Sequence, residues 1–156
     1  MNTERLKDFG IGLGFLGLQI VMFRHLRIWD MQPDLIVIYL LWLISKSNRT
    51  ACLFVAGGLG LLQDAMLDLW GLNMFSKTLM TFMVYNYMPR KENMRLLIWQ
   101  IFLIVLAAAL VHNIIFLGLS VSVEHYTAEH LFWKQWIGNA IYTAVVASFI
   151  HLFRTS

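Results

Sequence analysis

Three charged side chains interrupt an apolar stretch between residues 57 and 79, and they are the residues best suited to chemistry. The stretch reads GGLGLLQDAMLDLWGLNMFSKTL and contains Asp64, Asp68 and Lys77. A charge at the centre of a bilayer costs about 2.5–3.5 kcal/mol on insertion scales, so such residues usually face a partner or water. They could clamp two helices, bind a substrate or proton, or shape a surface where a partner docks. A structural clamp is favoured, because structural pairs are the commoner case, and it is compatible with docking.

The spacing of these charges predicts a helix hairpin that brings them together as an intramembrane polar site. Asp64 and Asp68 lie four residues apart and therefore share one helix face. Residues 70–73, Trp-Gly-Leu-Asn, form a natural turn, after which the next helix runs antiparallel. Lys77 would then lie level with the two acids and neutralise Asp64, while Asp68 would lie nearer the outer interface.

Two groups of glycines are predicted to be helix-packing positions. Gly10 and Gly14 form a small-xxx-small pair that lets another helix approach closely. Gly57 and Gly60 would allow close packing beside the polar site. The G-x-G-x-x-G pattern of residues 12–17 also occurs in dinucleotide-binding folds, but no strand can precede it and no acidic partner follows at the required distance. We therefore expect helix packing there and no nucleotide.

The composition indicates that the bilayer is the solvent of this chain. Hydrophobic residues make up 59% of the 156 residues and charged residues 13%, against roughly 45–50% and 25% in soluble proteins. A soluble domain this small could not bury so much apolar surface. The net charge is +3, but the basic residues are scattered between apolar runs, which argues against a nucleic-acid partner.

Six apolar segments are predicted to be transmembrane helices of a single domain, residues 1–156, which makes the chain an all-α integral membrane protein. Their approximate bounds are residues 9–28, 33–45, 50–69, 71–88, 95–120 and 132–153. The second segment is short, so it is tilted or extended at its start. With the N-terminus inside, eight basic residues fall on the cytoplasmic side and three outside. The positive-inside rule therefore predicts that both termini are cytoplasmic.

No grouping of residues in the sequence indicates an enzyme or a metal site. His112 and Asn113 lie near the centre of the fifth predicted span, where an interhelical hydrogen bond is favoured over a proton relay or ligand contact. We find no serine nucleophile with a neighbouring base, no H-E-x-x-H helix and no His/Cys/Asp grouping with metal spacing. We therefore expect no catalytic residue, no metal and no cofactor.

Three short motifs resemble the bacterial rod shape-determining protein family MreD. Pro33-Asp34 opens an apolar span, and the run Gly60-Leu-Leu-Gln-Asp64 ends a glycine-rich helix. A turn, Gly71-Leu-Asn73, follows it. The resemblance extends over nearly the whole chain in length and span number, although its identifiable residues lie between about Pro33 and Lys77. Neither Asp68 nor Lys77 corresponds to a position of the family pattern.

The resemblance implies a non-catalytic scaffold of the elongation machinery in the bacterial inner membrane, which maintains cell shape. Proteins of this family bind MreC, a single-span protein with a periplasmic coiled coil. Through MreC they connect to the RodA glycosyltransferase, a class B penicillin-binding transpeptidase and MreB filaments, and so support lateral peptidoglycan synthesis. Their fold is similar to the six-helix substrate-binding subunits of energy-coupling-factor transporters. The small-residue face of residues 10–17, exposed to membrane lipid, is where a partner helix is expected to pack.

An alternative from another functional class is a small-molecule, vitamin-like binding subunit of a transporter. That hypothesis predicts a polar or aromatic pocket near the outer ends of the helices. Trp70, Asn73, Asp68 and the loop 124–134 could supply such a pocket, and they would serve equally well as an interface belt. An intramembrane hydrolase is disfavoured because its nucleophile is missing.

Overall fold

The computed structural model describes residues 3–23, 25, 31–89, 96–122 and 133–155. In these ranges the regular secondary structure consists of six helices. The helices are α1 (Thr3–Leu18, continued by a π-helical turn, Gln19–Phe23), α2 (Leu35–Ile44), α3 (Arg49–Leu67), α4 (Leu72–Val84), α5 (Ile98–Ser122) and α6 (Asn139–Thr155, preceded by a π-helical turn, Lys134–Gly138). The predicted all-helical class is therefore confirmed for the described part of the chain.

Within the described residues, three helical stretches are long and apolar enough to cross a membrane. They are Arg49–Leu67, Ile98–Ser122 and Lys134–Phe153. The second and fourth helices are shorter than predicted, with 10 and 13 residues. At 1.5 Å per residue they measure roughly 15 and 20 Å, which is less than the roughly 30 Å of a hydrocarbon core.

The short helix α2 is the central element of the bundle. It contacts each of the other five helices, and eight of its residues are buried. Its sequence, LIVIYLLWLI, is apolar on every side, which is the pattern of a helix enclosed by others. Four of the other helices form two antiparallel hairpins, α3 with α4 and α5 with α6, which pack on each other through α4 and α5, and α1 packs on α2 and α3.

Two residues in the left-handed conformation close the turn between α3 and α4. Asp68 has φ +55° and ends α3, and its backbone N–H donates to the carbonyl of Asp64. Gly71 has φ +83° and precedes the first residue of α4. A non-glycine residue is uncommon at positive φ, and Asp is among the side chains that tolerate it. A turn therefore follows α3 as predicted, but it lies at residues 68–71 and not at 70–73, because Asp68 ends α3 and Leu72 already begins α4.

The first helix approaches the core through Gly12. A Cβ atom on Gly12 would lie 2.7 Å from Cδ1 of Leu59 and 2.9 Å from Cε1 of Tyr39. Gly10 and Gly14 are predicted to pack against a helix, but a Cβ atom on either of them would meet no atom of the described chain within 4 Å. The reason is helical geometry, since residues two positions apart point to nearly opposite sides of a helix.

Candidate functional site

Polar side chains from the start of α2 and from α3, α4 and α5 meet inside the bundle, and we call this group the polar cluster. Its members are Asp34, Asp64, Asn73, Ser76, Lys77 and His112. All are buried except Asp34, whose side chain is 15% exposed. Buried polar groups need hydrogen-bond partners, and each member of the cluster has at least one.

Lys77 is the charged centre of the cluster and is completely buried. Its Nζ lies 2.7 Å from Oδ2 of Asp34 and donates to Oδ1 of Asn73 at 3.0 Å. The same atom lies 3.3 Å from Nε2 of His112. An ammonium group has three donors, and these contacts use all three. The charge is thus both paired and hydrogen-bonded, which is the condition for burying it.

The carboxylate that pairs with Lys77 is Asp34, whereas the spacing of the hairpin predicted Asp64. Asn73 lies between the two groups, because its Oδ1 accepts from Lys77 while its Nδ2 donates to Oδ1 of Asp64 at 2.9 Å. The predicted hairpin therefore brings Asp64 and Lys77 into one network, but a side-chain amide separates them. Asp34 is placed by the packing of α2, which the hairpin alone does not reveal.

Asp64 instead caps the start of α4 from the neighbouring helix. Its Oδ1 accepts the backbone N–H of Asn73 at 2.9 Å, and its Oδ2 accepts that of Met74 at 2.8 Å. The first N–H groups of a helix have no partner inside the helix, and Gly71, at the N-cap position, has no side chain to offer one. A negative charge also interacts favourably with this end of the helix dipole.

Gly60 makes this capping possible, because it lies one turn before Asp64 where α3 touches α4. A Cβ atom on Gly60 would lie 2.5 Å from Cα of Met74 and 2.9 Å from the carbonyl oxygen of Asn73. Both neighbours are backbone atoms, which cannot move aside cheaply. Gly57 is less constrained, since its Cβ would make an ordinary 3.5 Å contact with Oγ1 of Thr78.

Asp34 links the polar cluster to the start of α2. Its Oδ1 accepts the backbone N–H groups of Ile36 at 3.0 Å and Val37 at 3.1 Å, so it is the N-cap of that helix. Its other oxygen faces Lys77. Pro33, which is buried just before it, has no N–H that would need a partner. The Pro-Asp motif thus starts a helix in the protein interior.

Two side chains of α6 satisfy the non-helical backbone that leads into α2. The N–H of Gln32 donates to Oδ1 of Asn139 at 2.8 Å, and the N–H of Asp34 donates to Oγ1 of Thr143 at 3.0 Å. Sequence reasoning missed both α6 residues. Their signal was present, because two polar residues four positions apart in an apolar span share one helix face.

His112 connects the cluster to the second hairpin. Asn113 uses its amide nitrogen to donate to the carbonyls of Gln135 and Trp136, so its Oδ1 is left to face Nδ1 of His112 at 3.2 Å. Nδ1 is therefore the protonated nitrogen of a neutral ring, and Nε2 accepts from Lys77. Ser76 Oγ, which donates to the carbonyl of Asn73, lies 3.2 Å from the same nitrogen. These are interhelical hydrogen bonds of the kind favoured for this residue.

The structure places the other predicted site residues outside the polar cluster. Asp68 is exposed at the end of α3, and Trp70 is exposed in the turn. Residues 123–132, most of the loop proposed for an outer ligand pocket, lie outside the described residues. Asn73 is the one member of that proposed pocket in the cluster, and its amide is engaged on both sides.

The polar cluster is arranged to hold helices together. Each carboxylate oxygen of Asp34 and Asp64 accepts a hydrogen bond from protein, and each donor of Lys77 has an acceptor. Among the described residues, no group of His, Cys, Asp and Glu could hold a metal ion. Neither a protein-family model, nor a curated protein, nor a solved structure matches this chain, so its function has to be inferred from the cluster and the motifs.

Proposed function

We propose that this protein is a non-catalytic scaffold of the MreD type, which binds MreC in the bacterial inner membrane and supports lateral peptidoglycan synthesis. The observation that carries the proposal is that the residues resembling the family build one structural unit. Asp34 starts α2, Asp64 caps α4 and Asn73 joins Asp64 to Lys77. Gly60 provides the close approach that the capping requires.

These motifs are separated in sequence, but together they join one helix, α4, to α2 and to α3. Such motifs specify a rigid arrangement of helices, which a scaffold needs in order to present its surfaces in fixed positions. Hydrogen bonds within the protein already use the charged groups of Asp34, Asp64 and Lys77. This saturation supports a structural role for the cluster over a role in binding a substrate.

The proposed topology has six helices in the membrane and both termini in the cytoplasm. Three helical stretches with the required length and apolarity support it, together with the distribution of Lys and Arg. The short helix α2 fits the same arrangement, because non-helical backbone within a membrane is tolerated where protein buries it. Asn139 and Thr143 provide that protection for the segment before α2.

The outward face of α1 is the proposed docking site for the single transmembrane helix of MreC. Gly10, Gly14 and Gly17 all lie on exposed parts of α1, and a Cβ on any of them would meet no described atom within 4 Å. Small residues let two helices approach closely in lipid, where hydrophobic burial supplies no driving force between them. A docked helix would orient the periplasmic part of MreC towards RodA and its class B transpeptidase.

The test is co-purification with MreC from the same organism in mild detergent, using Gly14→Leu as the disrupting variant. We expect Gly14→Leu to weaken capture of MreC about tenfold, which corresponds to about 1.4 kcal/mol. Gly118→Leu is the matched control, because Gly118 also faces open space, on α5. Unchanged capture by Gly14→Leu would reject the α1 site. Absence of MreC, with recovery of ATPase subunits or a bound vitamin, would reject the scaffold in favour of a transporter subunit.

A further inference from the structure

An apolar cleft lies at the C-terminal end of α2, away from the polar cluster. Its volume is about 570 Å³, within the roughly 300–1,000 Å³ of ligand sites. Phe15 of α1 faces the cleft from one side, and Val105 of α5 and Ala147 of α6 line it from the other. Leu41 and Trp42 contribute from α2. The cleft therefore separates α1 from the α5–α6 hairpin.

The margins of the cleft are apolar and exposed. Ile11 on α1 and Ile150 on α6 both line it and both lie on the protein surface. In the proposed membrane arrangement this opening faces hydrocarbon, so lipid tails have access to it. Lipid tails are as apolar as leucine, and burial alone would not select one lipid over another. Any selectivity must come from a polar group at the mouth.

Lys46 lies beside the cleft, against the wall residue Trp42, although it is not itself a lining residue. Its Nζ lies 3.8 Å from the centroid of the indole ring and 2.7 Å from Oδ1 of Asp8. An ammonium group has three donors, and Asp8 takes one of them. Ser45, the residue before it, lines the cleft. The cleft is thus lined mainly by apolar side chains, with Ser45 and His151 among its polar lining residues, and a cation lies beside one end. This is the polarity pattern of a site for an anionic amphiphile.

The polarity of the site favours an acyl chain over a partner helix as its occupant. A cation beside a mainly apolar cleft matches a charged headgroup joined to an apolar tail.

We infer that this cleft binds one acyl chain of an anionic phospholipid, whose phosphate lies against Lys46. Basic sites between helices on the cytoplasmic side of a membrane bind anionic headgroups in this way. The end of α2 at Ser45 is cytoplasmic in the proposed topology. The inference requires that the protein is embedded in a membrane with this orientation, and it does not depend on the scaffold function.

Native mass spectrometry of the purified, delipidated protein in mild detergent tests the inference. The probes are dioleoyl phosphatidylglycerol, which is anionic, and dioleoyl phosphatidylcholine, which is zwitterionic. We expect one retained phosphatidylglycerol at higher occupancy than phosphatidylcholine. Lys46→Gln should lower that preference about fivefold, the share of one basic group near an anionic headgroup. Ile150→Trp should fill the cleft and lower retention of either lipid about tenfold.

Two control variants separate the cleft from the general surface. Ile141→Trp places the same side chain on α6 outside the cleft lining, at a position 45% exposed against 41% for Ile150. Lys7→Gln removes an exposed charge from α1. Neither control should change lipid retention. The variant Lys46→Gln should fold normally, because exposed ion pairs contribute only about 0–1 kcal/mol.

Several outcomes would overturn the inference. Equal retention of the two lipids by the unsubstituted protein would show that the cleft does not recognise an anionic headgroup. Equal effects of Ile150→Trp and Ile141→Trp, or of Lys46→Gln and Lys7→Gln, would show that lipid binds the general surface. A dimer mass that disappears only in Ile150→Trp, without a bound lipid, would assign the cleft to a second copy of the chain.

Discussion

Lys77 and Asp34 form a buried ion pair between α4 and the N-cap of α2, with 2.7 Å between Nζ and Oδ2 across 43 residues of sequence. The second oxygen of Asp34 holds the first N–H groups of α2. One carboxylate therefore sets both the start of the central helix and its position against α4. Loss of the ammonium would leave that carboxylate inside the bundle without its counter-charge.

We predict that Lys77→Met destabilises the protein by about 3–5 kcal/mol, the range for breaking a buried pair by removing one partner. The measurement is the free energy of unfolding in detergent micelles. Lys46→Met is the matched control, since its ion pair with Asp8 has the same 2.7 Å distance but a lysine side chain that is 32% exposed. That control should lose about 0–1 kcal/mol.

The double variant Lys77→Met/Asp34→Asn sharpens this prediction. Asn is also a good N-cap residue, so it keeps the start of α2 while removing the unpaired charge. We expect the double variant to recover part of the stability lost in Lys77→Met. If Lys77→Met and Lys46→Met cost the same, the pair of Lys77 with Asp34 does not organise the bundle.

We predict that Asp64→Ala lowers the free energy of unfolding by about 1–2 kcal/mol, as for other lost helix caps. Asp64→Asn should lower the free energy of unfolding by less than Asp64→Ala, because the side-chain amide keeps one of the two oxygens that accept from the start of α4. Asp68→Asn is the control for the position of the cap, since Asp68 lies one helical turn after Asp64 and is exposed. Substitutions at such surface positions usually change stability by no more than about 0.5 kcal/mol. Thermal unfolding of all three variants in the same detergent is the measurement, and equal losses for Asp64→Ala and Asp68→Asn would contradict the capping role.

A third prediction concerns the glycines of α3. Gly60→Ala should destabilise the protein by about 1–3 kcal/mol, the usual cost of overpacking a core, because the added methyl group would overlap the backbone of Met74. Gly57→Ala should be neutral or slightly stabilising, since its methyl group would make an ordinary contact and alanine favours the helix. The comparison by thermal unfolding is direct because both sites lie on one helix. A Gly60→Ala protein as stable as Gly57→Ala would show that α3 and α4 do not approach so closely.

A fourth prediction tests the support that α6 gives to the start of α2. Thr143→Val removes the hydroxyl group that accepts from the N–H of Asp34 while keeping the size of the side chain. An unsatisfied buried donor costs about 1–3 kcal/mol. Thr78→Val is the control, because the Thr78 hydroxyl donates only within its own helix, to the carbonyl of Met74. Hydrogen exchange at the amide of Asp34 should be faster in Thr143→Val than in Thr78→Val, and equal rates would contradict the contact.

Much of the local structure follows from the sequence alone. The apolar runs predict helices, because backbone groups in an apolar solvent must be satisfied within the segment. The run from Gly60 to Lys77 predicts a hairpin, and the described structure contains it with its turn at residues 68–71. These features depend on neighbours within one or two helical turns, and the sequence displays such neighbours directly.

Which side chains meet across the bundle depends on the tertiary structure. Lys77 pairs with Asp34 and not with Asp64, because the packing of α2 places Asp34 next to α4. Gly12 approaches the core and Gly14 does not, because the rotation of α1 about its axis is set by the helices it packs on. Helical periodicity determines which residues share a face, but only the packing of all six helices decides what that face contacts.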